Sequence, residues 1–391
     1  MRFLHVADLH LGFNTYGKEK DYSPFKALDF AIEYAEEHGA SLFLIAGDVF
    51  DRRDPPSYIQ KGFAERVKRL TESGITVFIV TGNHEGAPNP ERNIHLDVYS
   101  ALRIKNVFIA KRIRLYKLRD INIISVPYPY KKNLLAKEEY RDKSEAEIAL
   151  KMNGIIKDAI KKYVEEADND NPIIVAAHIP VSDAKVGSET YSTFSFEIPL
   201  SRSDFDIDGV SYVALGHLHT RQAMETPRLG IPLVYSGSID RINFSEENEE
   251  KGFYDVEIGA DKKPVFTPVN NPFARKFYSI RLYKDSDINA VDFARAGESI
   301  TRVVLYDDLQ DESLLRVLIK RLKKEALVFA GMEDKRDFSN ESSFFKASLS
   351  VSPHDAITRY LDEKKQTDKF IEKERQTILE TAVKLLKEAN E

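Results

Sequence analysis

Five short stretches of this chain end an apolar run in residues that can bind a metal or move a proton. They are Asp8-Leu9-His10, Gly47-Asp48, Gly82-Asn83-His84-Glu85, His178 and Gly216-His217-Leu218-His219. A single histidine beside a strand is more often a satisfied polar side chain than a ligand. Here histidines 10, 84, 178, 217 and 219 all fall in such stretches, out of nine in the chain, and the repetition changes that weighting. The chain has no cysteine, so thiolate sites and thiol nucleophiles are excluded. Imidazole, carboxylate and amide oxygen without thiolate suit divalent ions such as Mn²⁺, Fe²⁺ or Zn²⁺. Asp8, His10, Asp48, Asn83, His178, His217 and His219 are too many ligands for one ion and suit two ions that share a carboxylate. Asp48, between the Asp8 and Asn83 strands, is the natural bridge. His84 is then spare. A histidine beside a metal pair can stabilise a phosphate transition state and protonate its leaving oxygen.

The elements that must position these residues follow from the hydrophobic pattern. Phe3 to Ala7, Ser41 to Ala46 and Ile75 to Val80 read as buried strands. Helical spacing fills the gaps, from Tyr22 to Glu37 with Ser23-Pro24 at its start and from Ser57 to about Thr71. This β-α-β-α-β order predicts three parallel strands. Glycine after the second strand lets the chain turn and leaves Asp48 at the sheet rim, where α/β domains build sites. Residues two apart in extended chain share a side, so Asp8 with His10, and His217 with His219, are expected to converge. A short helix from about Asn93 to Leu102 precedes Asn106 to Ala110, Ile113 to Leu118 and Ile121 to Val126, expected as a second, mixed or antiparallel sheet. Lys137 to Val164 reads as helix, and Ile173 to Ala177 and Val210 to Leu215 as strands that deliver the later histidines. Leu233 to Ser236, Gly252 to Ile258 and Pro264 to Val269 are expected to close the domain.

Asn270-Asn271-Pro272 marks an expected boundary. Beyond it, Lys276 to Leu282 (strand), Asp287 to Ala296 (helix), Ile300 to Tyr306 (strand) and Asp311 to Lys323 (helix) predict a small α+β module. From Ser352 a charged helical tail carries an apolar stripe of Ile371, Ile378, Leu379, Ala382 and Leu386, which reads as a docking surface for a partner. The expected divisions are 1–270, 276–351 and 352–391. With 42% hydrophobic and 31% charged residues over 391 positions, a soluble globular protein is expected, with neither a membrane span nor a secretion signal, and therefore cytoplasmic. A net charge of −6 excludes a protein that coats nucleic acid by bulk charge. Local contact to phosphate would fall to basic residues near the motifs, namely Arg52, Arg53, Arg92, Lys185, Arg221 and Arg241.

Taken in order, D-x-H, GD, GNH(E/D), H and GHxH resemble the signature of the calcineurin-like metallophosphoesterases. Ala7 to Gly12, Gly47 to Asp51 with Pro55-Pro56-Ser57, Ala214 to His219 and Tyr235-Ser236-Gly237-Ser238 are similar, more narrowly, to the SbcD type. That type is the bacterial and archaeal counterpart of the meiotic-recombination-eleven nuclease. The resemblance covers about Met1 to Val269. It implies an α/β fold of two sheets flanked by helices, a DNA-facing cap over the small module, and a tail that grips the coiled coil of an ABC-type ATPase. It implies two Mn²⁺ ions, with Mg²⁺, Fe²⁺ or Zn²⁺ as other candidates. Asp8, His10, Asp48 and His219 would hold one, and Asp48, Asn83, His178 and His217 the other. It implies DNA phosphodiester hydrolysis in double-strand-break repair, as a 3′-to-5′ exonuclease and a single-strand or hairpin endonuclease, with His84 at the transition state. Homodimerisation through the helices near Ser57–Thr71 and Asn93–Leu102 is implied as well. Glu85 stands where many relatives have Asp, and Asp51 where some archaeal relatives carry His. A small-substrate phosphodiesterase with the same metals, or a non-catalytic scaffold, are the competing readings.

Overall fold

The computed structural model describes residues 1–13, 25–85, 93–130, 144–168, 170–185, 199–307, 312–336 and 381. The expected helical tail and its stripe, Ile371, Ile378, Leu379, Ala382 and Leu386, lie outside them, as do Ser23-Pro24 and Arg92. The elements are β1 (Arg2–Val6), α1 (Lys26–Glu37), β2 (Leu42–Ala46), α2 (Ser57–Glu72), β3 (Thr76–Val80), α3 (Asp97–Ala101), β4 (Val107–Ala110), β5 (Arg114–Leu118) and β6 (Ile121–Val126). There follow α4 (Glu145–Glu166), β7 (Ile173–His178), β8 (Val210–Gly216), β9 (Gln222–Glu225), β10 (Pro232–Tyr235), β11 (Gly252–Ile258) and β12 (Pro264–Asn270). The remainder is β13 (Phe277–Leu282), α5 (Phe293–Gly297), β14 (Ile300–Leu305), α6 (Glu312–Glu325) and β15 (Val328–Asp334).

Two sheets of six strands form the body, ordered β12-β11-β1-β2-β3-β4 and β5-β6-β7-β8-β10-β9. The period-2 alternation of each strand builds three apolar layers. Phe3, Leu42, Leu44, Phe78 and Val80 meet Ile123, Ile174, Ala176, Tyr212 and Ala214 between the sheets. Leu4, Val6, Phe43, Ile45, Val77 and Ile79 face the other way and bury the stripes of α1 and α2. On the far side, Val175, Ala177, Val213 and Leu215 meet Ile156 and Ile160 of α4. Strands covered on both faces are apolar throughout, as sheets buried on both sides require.

Two expectations are corrected. The run Asn106 to Ala110 does not join the second sheet; its strand β4 pairs parallel with β3. The short helix α3 is the crossover that parallel pairing needs, whereas β5 and β6 pair antiparallel in the second sheet. Gly252 to Ile258 and Pro264 to Val269 are strands, as expected, and complete the first sheet, where β11 lies antiparallel to β1 and β12 to β11. The stretch Asp287 to Ala296 is not one helix. Asp287 caps a single 3₁₀ turn, Val291 is extended, and Asp292 caps the short α5; two capping aspartates five residues apart each start a separate turn.

The described residues cluster in two compact units, the larger drawn from positions up to 281, 287–304 and 312–333, and the smaller from 282–286, 305–307 and 334–336. In the larger unit, Phe244, Phe277, Ile300 and Val328 form an apolar cluster of their own. In the smaller, the Tyr283 and Tyr306 rings stack 5.0 Å apart. No helix among the described residues is long and apolar enough to cross a membrane.

Candidate metal centre

Every stretch singled out for its chemistry lies at the carboxyl end of a strand, and both sheets bring those ends to one rim. Asp8 and His10 follow β1, Asp48 follows β2, and Asn83 and His84 follow β3; His178 ends β7, and His217 and His219 follow β8. The loops are laced together: Asp8 N–H donates to Gly47 O at 3.0 Å and His10 N–H to Asp48 O at 3.1 Å. The His217 N–H donates to the Asp8 carboxylate at 3.0 and 3.1 Å. A Cβ on Gly47 would run into the His178 ring, and one on Gly82 into the Asp48 carboxylate. Both glycines are therefore required by close approach, and Gly47 also by its φ of +98°.

Three overlapping groups of side chains converge closely enough to hold a cation: Asp8, His10 and His219; His10, Asp48 and His84; and Asp8, Asp48 and His178. Asp8, His10 and Asp48 each belong to two of them. Asn83 joins through its Oδ1, 3.0 Å from His178 Nε2 and 3.1 Å from His217 Nδ1. His84, read from the sequence as spare, has its Nε2 4.0 Å from Asp48 Oδ2. The route to convergence differs from the expected one. Asp8 and His10 are not in extended chain; their φ values are +52° and +42°, and those of Asp48 and His217 are +50° and +99°. Left-handed turns, not strand alternation, aim these side chains. Non-glycine residues held this way cost about 1–3 kcal/mol each and cluster at functional sites.

The donor chemistry fits divalent ions. His178 Nδ1 donates to Ala46 O at 2.8 Å and His219 Nδ1 to Glu246 Oε1 at 3.1 Å. Each ring therefore turns the lone pair of Nε2 into the cluster. His10 Nε2 stands 3.1 Å from His219 Nε2, and two ring nitrogens at that distance need a proton or a cation between them. The buried His10 Nδ1 makes no hydrogen bond, with Asp51 Oδ1 3.6 Å away. Burial raises the Asp8 carboxyl above its ordinary range, opposed by His178 and His219. Burial also opposes charge on both Asp48 and His178, yet their 3.2 Å pairing prevails. It holds Asp48 far below the usual carboxylate range and lifts His178 to about 10. In the protein alone, that proton occupies a position a metal would take.

Glu85 and Asp51, inside the motifs, and Tyr128 and Tyr130, which the sequence did not mark, support the site. Glu85 accepts Phe50 N–H at 2.7 Å and Gly82 N–H at 3.0 Å, tying the loops after β2 and β3 together. Burial, with Asp48 nearby, pushes its carboxyl up to about 7. Tyr130 donates to the Asn83 carbonyl at 2.9 Å, and the Tyr128 ring lies 5.7 Å from that of His217. Asp51 accepts at its carbonyl from His84 Nδ1. Of the basic candidates, Arg52, Arg53 and Lys185 are exposed, and Arg53 bears on the Tyr130 phenol. Arg241 is instead committed to three carbonyls, those of Glu246, Arg275 and Glu249. Arg221 binds Val269 O, Glu250 and Asn270.

The calcineurin-like phosphoesterase family model matches residues 1–221. Over 297 residues the chain is 26% identical to the SbcD subunit of the nuclease SbcCD of Escherichia coli (strain K12), covering 70% of each. Solved structures similar to it include a dimetal phosphatase from Danio rerio (9% identity, TM-score 0.38, 69% of this chain and 99% of that one). Another is the phosphopantetheinyl hydrolase of Mycobacterium tuberculosis (15% identity, TM-score 0.34, 61% of this chain and 89% of that one).

Proposed function

This chain belongs to the calcineurin-like phosphoesterases, and from that membership we propose that it is a Mn²⁺-dependent DNA nuclease acting at double-strand ends. In this reading it degrades duplex 3′ to 5′ and opens single strands and hairpins. It is the nuclease subunit of a complex with an ABC-type coiled-coil ATPase. Membership makes it a metal-dependent hydrolase of phosphodiesters. The observation that carries the reading is the convergence of Asp8, His10, Asp48, His178 and His219 at one rim, joined by Asn83 and His217. The choice of DNA rests on the likeness to a subunit of a bacterial nuclease.

Asp8, His10, Asp48 and His219 would hold one ion, and Asp48, Asn83, His178 and His217 the other. Bound there, two divalent ions would neutralise phosphate charge and acidify a water for in-line attack. The chain supplies the rest. His84 is fixed from two sides, by its Nδ1 to the Asp51 carbonyl and by its N–H to Asp48 Oδ1 at 2.9 Å. Its half-exposed ring therefore offers Nε2 to the phosphate, where it stabilises the developing charge and protonates the departing 3′-oxygen. Arg52 and Arg53, exposed just past Asp51, position the DNA backbone, with Arg92 and Lys185 as further contacts. Residues 1–270 form the nuclease domain, 276–351 the DNA-facing cap, and 352–391 the segment that docks on the ATPase. The homodimer uses α2 and α3, where Tyr58, Val98 and, just past α3, Leu102 are exposed.

The test is the purified chain with Mn²⁺ on blunt duplex, hairpin and single-stranded DNA, beside a small chromogenic phosphodiester. DNA should be cut. His84→Gln should bind Mn²⁺ like the parent and cut about 100-fold more slowly or worse, and Asp48→Ala should retain neither ion by elemental analysis. Hydrolysis of the small ester with intact DNA would transfer the protein to the small-substrate diesterases. Inertness toward both would leave a scaffold.

A further inference from the structure

The charged segment after β10 places an acidic side chain directly behind a histidine of the cluster. Glu246 is wholly buried, and so, at 2% exposure, is Lys251. Besides accepting from His219 Nδ1 at 3.1 Å, Glu246 takes the Ile242 N–H at 3.0 Å and stands 3.1 Å from Lys251 Nζ. Lys251 in turn donates to the His219 carbonyl at 3.0 Å. Two buried, opposite charges thus grip His219 by its ring and by its backbone. A buried ion pair of this kind is a poor stabiliser compared with apolar packing, so its place directly behind a ring nitrogen calls for another explanation.

Glu246 ends a single 3₁₀ turn, Phe244–Glu246. Its neighbours on that turn face elsewhere. Phe244 packs edge-on against Phe277 of β13 at 4.9 Å, beneath the Arg302 guanidinium of β14 at 4.4 Å. Glu247 receives the Ser279 N–H at 3.2 Å and pairs with Arg295 at 3.1 Å. Successive side chains of one turn are therefore anchored, on one side, in the small three-stranded sheet β13-β14-β15 and, on the other, in the candidate metal centre.

We infer that Glu246 is a positioning residue that fixes the tautomer and aim of His219, and that the turn carrying it makes metal retention at His219 depend on the packing of the small sheet. This rests on the reading of His219 as a ligand. A carboxylate behind the distal nitrogen keeps the proton on Nδ1 and the lone pair on Nε2. A turn this short has no slack, so a shift of Phe244 moves Glu246 with it.

The experiment is Mn²⁺ affinity by titration calorimetry on the full chain, with thermal melting of the metal-free protein alongside. Lys251 Nζ is shared between Glu246 and Glu249, the latter at 2.8 Å, so the lysine is neutralised in both variants and only the acceptor behind His219 differs. Glu246→Gln/Lys251→Met keeps an acceptor behind His219, and Glu246→Leu/Lys251→Met removes it. The second should bind Mn²⁺ about 10- to 100-fold more weakly than the first at matched melting temperature. Phe244→Ala should also weaken Mn²⁺ binding, and His219→Ala should erase that effect in a double-mutant cycle. Equal affinity of the two paired variants overturns the positioning role. A Phe244→Ala effect that persists without His219 overturns the coupling. If His219→Ala itself binds Mn²⁺ like the parent, the ligand assignment falls and this inference with it. A weakened His219→Ala beside unaffected Glu246 variants sinks the inference alone.

Discussion

His5 is wholly buried between the two sheets, with Nδ1 3.1 Å from the Tyr212 hydroxyl and Nε2 3.2 Å from the Leu215 carbonyl. Burial lowers its pKa from 6.5 to about 3, against the carbonyl's opposing pull. The folded chain therefore refuses a proton that the unfolded chain accepts. Its contribution to stability is complete above pH 6.5 and shrinks by about 1.4 kcal/mol per pH unit below that, until about pH 3. Between pH 7 and pH 5, urea midpoints should fall more steeply for the parent than for His5→Gln, which keeps both hydrogen bonds and cannot titrate; parallel slopes would contradict this. His5 also shows what single residues reveal in sequence. It sits three positions before Asp8 with no polar neighbour to mark it, because its partners come from β8, more than two hundred positions away. The candidate ligands were legible because each breaks an apolar run at a strand end. Glu246 was not, since it stands in the run Glu246-Glu247-Asn248-Glu249-Glu250 where nothing in the letters separates a buried carboxylate from solvated ones.

At the level of elements, α2 carries the loop that follows Asp48. Phe63 on α2 is 1% exposed and packs edge-on against Phe50 at 5.5 Å and Tyr99 of α3 at 5.9 Å. Phe50 in turn gives its N–H to Glu85. Phe63→Ala should cost about 3–5 kcal/mol of folding stability, measured by denaturant titration, and a loss under 1 kcal/mol would show that this trio does not hold the loop. The parallel order of β1, β2 and β3 could be read directly from helices spaced between apolar runs. The partner of β4 could not. Its connection to β5 is short, which suggests a neighbour, yet α3 on its other side had already committed it to β3. The sequence also left open which sheet β11 and β12 close; the answer lies in Arg2, whose guanidinium pairs with Asp255 of β11, and in Met1, which reaches Ile258. Such pairings depend on side chains that meet only after folding.

For the molecule as a whole, the proposed partners call on different segments of the chain and can be tested separately. Val98 and Leu102 are 51% and 67% exposed, and a double substitution to glutamate should turn a dimer into a monomer in sedimentation, with nuclease activity on short substrates retained. A parent that is already monomeric would dismiss this interface. Deletion of residues 352–391 should preserve cutting of single-stranded DNA and abolish co-purification with the ATPase; continued co-purification would place the docking elsewhere. A last consequence comes from the left-handed backbone at Asp8, His10, Asp48 and His217, four of the seven non-glycine residues with positive φ among the described residues. Each is a residue the fold would be easier without. Breeding this protein for heat resistance alone, with no demand that it cut, should drive glycine or asparagine into these very positions. The winners of such a contest would be hardier and inert, and the map of their changes would trace the site without any substrate ever being supplied.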